Sequence, residues 1–497
     1  MNRTTVSLIA GVTALAAVTG FASMSEPQVS GEETAKAAAE LPVERTSLLC
    51  PAPSSSDLAE TAYTSFTPVT GGVGADGRAA LTAAGEQDEQ DEKDEKEKKK
   101  EKPFPAPKEP GKPVTSETSG AESPALVGTA EGRLAPGWTV QQTTEVEAGS
   151  GRGLFGTACS APDTDFWFPG ASTAKERTDY AHLTNPDDSA AVADIELYGE
   201  DGALKSTVGE GIKIPPHSSE AVLLSTLMDE PQADLTVHVT VRSGRVAAAV
   251  EAVDDTLGGD WLAPSAAPAG SLVLPGVPED ATSVRLVAFA PGDTDADLKV
   301  RLASPTGTIT PAGHETLHVK AGMTAAVDLG DLTRGEAGSL VLAPTGRSTP
   351  VVAALRVVRG KGDSQETAFI PATAAVDARA TAADNRSEGS TLSLVAPGRA
   401  AKVKVTASAG SDGGTAATKS YTIGRGTTQN VRLPVPGGLK GTYALTVEVL
   451  SGGPVHAARM LEAARDGVPM FTVQTLPDDR GTVKVPEAEQ DLSVLMK

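Results

Sequence analysis

Five consecutive residues carry the spacing of a zinc hydrolase. His314-Glu315-Thr316-Leu317-His318 has the H-E-x-x-H pattern, in which two imidazoles hold the metal and the glutamate serves as general base. That chemistry needs a helix, where residues four apart share one face; on a strand the same imidazoles stand about 13 Å apart. Here Pro311 and Gly322 bracket the segment, and no third His or Glu follows at helical spacing. It is read as a strand with surface histidines, and a zinc hydrolase using His314, Glu315 and His318 is the enzymatic alternative.

Other candidate chemistry is weaker. Asp293-Thr294-Asp295-Ala296-Asp297 resembles the start of a calcium loop, but Leu298 stands where the turn requires Gly and no Glu closes it. Gly362-Asp363-Ser364 has the look of a serine hydrolase turn without a companion His motif. Gly72 to Gly77 spells G-x-G-x-x-G with no βαβ unit after it, so it implies no dinucleotide. Trp138, Trp167 and Trp261 are candidates either to stack on sugar rings or to pack inside and between units, with packing the stronger reading. Trp167 and Trp261 fall at what reads as one repeat position. No catalytic, cofactor or metal residue is therefore assigned.

The elements that would position these residues begin with an export signal. After Met1-Asn2-Arg3 comes an apolar stretch from Val6 to Ala22, about 26 Å long as a helix and slightly short of a hydrocarbon core. Cleavage after Ala22 and retention as an anchor both fit. Export gives meaning to the two cysteines, Cys50 and Cys159, read as one disulfide. Closing so long a loop is worth nominally about 4 to 5 kcal/mol. A formal charge of −22 argues against nucleic acid and anionic membrane surfaces. Membrane contact is expected only through the N-terminal segment. With 3% aromatics and abundant Ala, Val, Thr and Gly, the cores should be thin and β-structured.

Between the cysteines, residues 86 to 102 are almost wholly charged, and Pro103, Pro105, Pro107, Pro110 and Pro113 follow. Such composition cannot offset its ordering entropy, so 71 to 125 is expected to be disordered.

The remainder repeats itself. Pro186, Pro291 and Pro397 each close an opening strand, at intervals of 105 and 106 residues. Val246-Ala247-Ala248, Val351-Val352-Ala353 and Val455-His456-Ala457 recur in a late hairpin. Between them, Ala193 to Tyr198, Leu298 to Leu302 and Val403 to Thr406 alternate apolar and polar, the pattern of half-buried strands. The His314 segment aligns with Gly211 to Ile214 and Ser420 to Ile423. A further unit emerges when Ser150-Gly151-Arg152 is matched to Ser243-Gly244-Arg245 and Trp138-Thr139-Val140 to Leu235-Thr236-Val237. Phe166-Trp167-Phe168-Pro169 then closes that unit as Trp261-Leu262-Ala263-Pro264 and Phe369-Ile370-Pro371 close theirs, and Ser47 to Pro51 opens it. The cysteines then join its first strand to its last.

The fold expected is all-β: about four immunoglobulin-like β-sandwich units of roughly 105 residues in tandem, behind an N-terminal export or anchor helix. The boundaries are 1–24 for the signal or anchor, 25–41 for a juxtamembrane linker, 42–170 for the first unit with its insertion 71–125, 171–278, 279–385, and 386–497 with C-terminal capping strands. Gly481 to Pro486 repeats Gly270 to Pro275, so residues 482–496 are expected to fold back and cap a unit.

The exported start, the Cys50-Pro51 strand, the charged insertion, Phe166 to Gly170, and Ser451 to Val455 with Ala457-Ala458-Arg459 together resemble an uncharacterised family of actinobacterial secreted or membrane-anchored proteins, catalogued as a domain of unknown function. The resemblance implies an envelope-glycan setting, since genes of this kind often neighbour one for a membrane glycosyltransferase, and it transfers no catalytic residue. The function expected is a non-enzymatic extracytoplasmic scaffold or binding protein of the cell envelope, contacting a partner protein or cell-wall glycan. An accessory subunit of a glycosyltransferase is the second alternative.

Overall fold

The computed structural model describes residues 39–85, 104–149, 151–206 and 208–485. The expected export segment, most of the linker, the core of the charged run and the end of the tail lie outside these residues. The chain divides into two compact units, 42–483, and the two chain ends, 1–41 with 484–497. Ala39–Pro42 and Thr482–Val485 form a two-stranded sheet, so the described part of the tail is a strand.

The described structure is all-β. Strands follow from alternation: in Ala296–Ser304, Leu298, Val300 and Leu302 are buried while Asp297, Lys299 and Arg301 face solvent. Each Leu so buried contributes about 1.5 to 3 kcal/mol.

Strands assemble into antiparallel sheets drawn from successive stretches of chain. The first stretch gives one sheet ordered Arg45–Cys50, Leu126–Gly132, Gly77–Ala83, and another ordered Val114–Ser119, Ala59–Phe66, Thr139–Val146, Gly153–Ala158. In the second, Asp165–Ala171, Leu235–Ser243 and Ala191–Gly199 lie side by side. Arg177–Thr184, Ala247–Asp254 and Gly258–Leu262 form the facing sheet. The third repeats this with Leu272–Val277, Gly338–Pro344 and Ala296–Ser304 opposite Ala281–Phe289, Val352–Arg359 and Glu366–Pro371. The fourth sets Arg379–Asn385, Tyr443–Gly452 and Ala401–Ala407 against Ser390–Ala396, His456–Arg465 and Val468–Leu476. An apolar core lies within each stretch; that of the first contains Trp138, Tyr63 and both cysteines. The repeat is visible in hydrogen bonding too, since Val246, Val351 and Val455 each form an isolated antiparallel bridge, to Asp163, Ala269 and Val376.

Two expectations are corrected. Residues 71–125 are not uniformly disordered, because Gly77–Ala83 and Val114–Ser119 are paired strands. Gly77–Ala83 buries Leu81 and Ala83, enough periodicity to anchor a strand that averaging with the adjacent charges conceals. Phe166 to Pro169 also does not close the first stretch: Asp165–Ala171 pairs with Leu235–Ser243 and opens the second. Thr139–Val146 correspondingly sits where Ala247–Asp254 sits, not where Leu235–Ser243 does. A shift by one hairpin preserves the apolar alternation, which is why periodicity alone admits it.

The closing strands Gly153–Ala158, Gly258–Leu262, Glu366–Pro371 and Val468–Leu476 touch one another in cyclic order, the last returning to the first. Neighbouring sheet pairs meet differently around this ring. Trp167, Phe289 and Val352 make an apolar junction between the second and third. Between first and fourth, the Thr143 hydroxyl donates to Asp384 Oδ2 at 2.8 Å.

Candidate functional site at the ring centre

The second half of the H-E-x-x-H motif lies on a strand and the first half in the turn before it. Thr316–Val319 is a strand on the edge of Ala296–Ser304, with His318 opposite Asp297, and His314 sits in the preceding turn. His318 Nδ1 is 2.8 Å from Asp297 Oδ1 and its Nε2 is 3.7 Å from Asp295 Oδ2. The fold thus joins the histidine motif to the aspartate loop as an exposed polar cluster. Glu315 accepts the Gly313 N–H at 3.0 Å, and hydrogen bonds from its own and the Gly313 backbone hold its carboxyl below the usual range. Among the described residues, no group of three or more His, Cys, Asp or Glu is arranged to hold a metal.

Gly362–Ser364 is a short 3-10 turn. Trp138, Trp167 and Trp261 are all buried, so none presents a face to a sugar. Trp138 donates Nε1–H to Ser65 Oγ at 2.9 Å, Trp167 stacks on His238 with centroids 3.6 Å apart, and Trp261 packs with Phe155, Val146 and Ala59. The last two do not share a repeat position, since Trp167 is on an opening strand and Trp261 on a closing one. Cys50 and Cys159 are bonded, with Cα atoms 4.4 Å apart, and Leu49 and Ser160 exchange backbone hydrogen bonds beside them.

Two buried carboxyls lie elsewhere, where the closing strands meet. Asp260 is fully buried; its Oδ1 accepts N–H bonds from Gly156 at 3.0 Å and Trp261 at 2.8 Å. Its Oδ2 makes no hydrogen bond of ordinary geometry, and the Thr472 hydroxyl and Phe369 amide face the carboxyl from the fourth and third sheet pairs. Glu366 is also fully buried, and the closest cation to it is Arg152, whose Nε lies 3.7 Å from Oε2. Arg152 donates Nη2–H to the Gln365 carbonyl at 2.8 Å. Glycines make room for this carboxyl: a Cβ at Gly153 would fall 2.8 Å from Glu366 Oε1 and one at Gly258 2.6 Å from Oε2.

Burial dominates the electrostatics. Desolvation pushes the Glu366 carboxyl up to about 8, Arg152 pulling the other way and Asp260 adding to the rise. Desolvation likewise lifts Asp260 well above the carboxylate range, against hydrogen bonds from Gly156 and Trp261. Burial thus favours the protonated form of both acids. Both are buried where the closing strands of different sheet pairs pack together.

A cavity of about 30 Å³ lies beside the disulfide, lined by Leu49, Pro51, Ser160, His182, Thr184 and Ala248 among others. It has room for one or two water molecules. His182 Nε2 is 3.4 Å from Glu251 Oε2 at its edge, and Trp261 meets the imidazole edge-on at 5.1 Å.

Sequence reasoning missed Asp260 and Glu366 as a pair. The available signal was Gly258-Gly259-Asp260-Trp261-Leu262, an acid inside a strand otherwise made for burial.

Residues 114–434 match a family of unknown function (DUF5719), and the chain belongs to that family. No curated protein matches it. Among the described residues, no helix is long and apolar enough to cross a membrane.

Proposed function

We propose that this member of the family is a non-enzymatic, extracytoplasmic scaffold or binding protein of the bacterial cell envelope, contacting a partner protein or a cell-wall glycan. In this reading the four sheet pairs are immunoglobulin-like sandwich units, fixed side by side so that their outer sheets present a preorganised surface. The observation that carries it is the Asp260 centre, where the groups most capable of acid–base chemistry are buried and bonded between units. A rigid platform binds with little ordering cost. The Cys50–Cys159 bond supports an oxidising compartment, and the charge of −22 disfavours nucleic acid as the partner.

The test is retention on immobilised protein. Purified peptidoglycan or cell-wall polysaccharide, and separately detergent-solubilised envelope proteins, are passed over the full mature chain. Saturable retention of one of the two is expected, and a retained glycosyltransferase would specify an accessory role. Retention of neither, or glycan cleavage dependent on stoichiometric zinc, would overturn the proposal.

A further inference from the structure

Three ionisable side chains from three different sheet pairs converge on the ring centre: Arg152 just ahead of Gly153–Ala158, Asp260 within Gly258–Leu262, and Glu366 at the head of Glu366–Pro371. We propose that this centre is a proton-operated joint. With protons on both carboxyls the closing strands stay packed; release of those protons puts unbalanced negative charge at the centre and loosens the ring.

The charge count carries the argument. Among the described residues the one ion pair at the centre is Arg152 with Glu366, Asp260 has none, and the Arg152 guanidinium also donates to the Gln365 carbonyl. Arg359, opposite Glu366 on the neighbouring strand, is committed to Asp280 at 2.7 and 2.8 Å and to Glu462 at 2.7 Å. The fourth sheet pair contributes the neutral Thr472, and Gly156 and Phe369 contribute backbone amides. Full ionisation would therefore leave a buried charge unpaired, a costly condition in a low-dielectric interior. The strands also cannot simply shift to admit a counter-ion. Gly153 and Gly258 already bring backbone against Glu366, and a Cβ at Gly259 would fall 2.6 Å from the Phe155 ring.

The sign follows from burial. Both acids hold their protons more tightly when folded than when unfolded, Glu366 up to about 8 against an ordinary 4.5. Their contribution is complete at acid pH below the unfolded value and is lost as pH rises through the folded one. Within that window each group lowers the folded-to-unfolded ratio by up to about tenfold per pH unit. The joint is independent of what the protein binds.

The test compares melting at about pH 5.5 and about pH 8.5 for the wild type, Glu366→Gln and the double variant Asp260→Asn/Glu366→Gln. The amides keep shape and remove titration. The wild type should lose more melting temperature between the two pH values than Glu366→Gln, and the double variant should lose least. An equal loss in all three overturns the proposal. If the variants do not fold, infrared spectra of the wild type decide: a protonated-carboxyl carbonyl band should persist at neutral pH and fade above about pH 8, and its absence at neutral pH contradicts the joint.

Discussion

Gly156 donates its backbone N–H to Asp260 Oδ1 at 3.0 Å, while Thr472 presses on the same glycine from the other side, where a Cβ would fall 2.5 Å from Thr472 Cγ2. The first, second and last sheet pairs therefore meet at one residue that has no side chain. No local periodicity requires a glycine in the middle of Gly153–Ala158, and a strand-interior glycine ordinarily weakens a strand. Here it permits close approach between strands that belong to different sheets.

Replacing Gly156 by Ala should destabilise the protein by about 1 to 3 kcal/mol, the usual cost of overpacking a filled core. Because the conflict is with Thr472, adding Thr472→Ala should recover part of the loss, with a coupling above about 0.5 kcal/mol. Denaturant unfolding of the two single variants and the double variant gives the cycle. Strict additivity would mean that the two strands do not touch.

Joint replacement of His314, Glu315 and His318 by Ala should leave melting temperature and metal content unchanged. The His318–Asp297 pair is half exposed, and exposed pairs contribute about 0 to 1 kcal/mol. Elemental analysis and a melting curve settle the point, since loss of one bound zinc per chain would restore the hydrolase reading.

Truncation after Asp479 removes the Thr482–Val485 strand, the partner of Ala39–Pro42, together with the Gly481 carbonyl that accepts the Val43 N–H at 3.1 Å. Ala39–Pro42 would then present unpaired backbone groups. A lower melting temperature or loss of monodispersity is expected. An unchanged curve and a monodisperse product would show that the tail strand is dispensable.

What could be read from sequence was whatever repeats locally. Alternation in Leu298 to Leu302 and Val403 to Thr406 marks strands that are observed, and the lone pair of cysteines, read together with the expected export signal, points to the bond that forms. The strand pairing of Thr316–Val319 follows from its alignment with Ile212–Ile214 and Ala417–Ile423, which hold equivalent edges. Register at the scale of whole hairpins was not legible, because Thr139–Val146 satisfies the pattern of either neighbour. Neither was the centre. Arg152, Asp260, Glu366 and Thr472 are far apart in the chain, and only the packing of the closing strands brings them together.

Closure of the four sheet pairs through Gly156 and Thr472 is tested most directly by a cysteine at each position. The two residues are 316 apart in sequence, yet the Thr472 Cβ lies 3.0 Å from where a Gly156 Cβ would be, within a small adjustment of disulfide geometry. Gly156→Cys/Thr472→Cys, purified under oxidising conditions and digested without reduction, should yield a peptide linking these positions alongside the native Cys50–Cys159 link. Two free thiols at 156 and 472 in folded protein would contradict the closed arrangement.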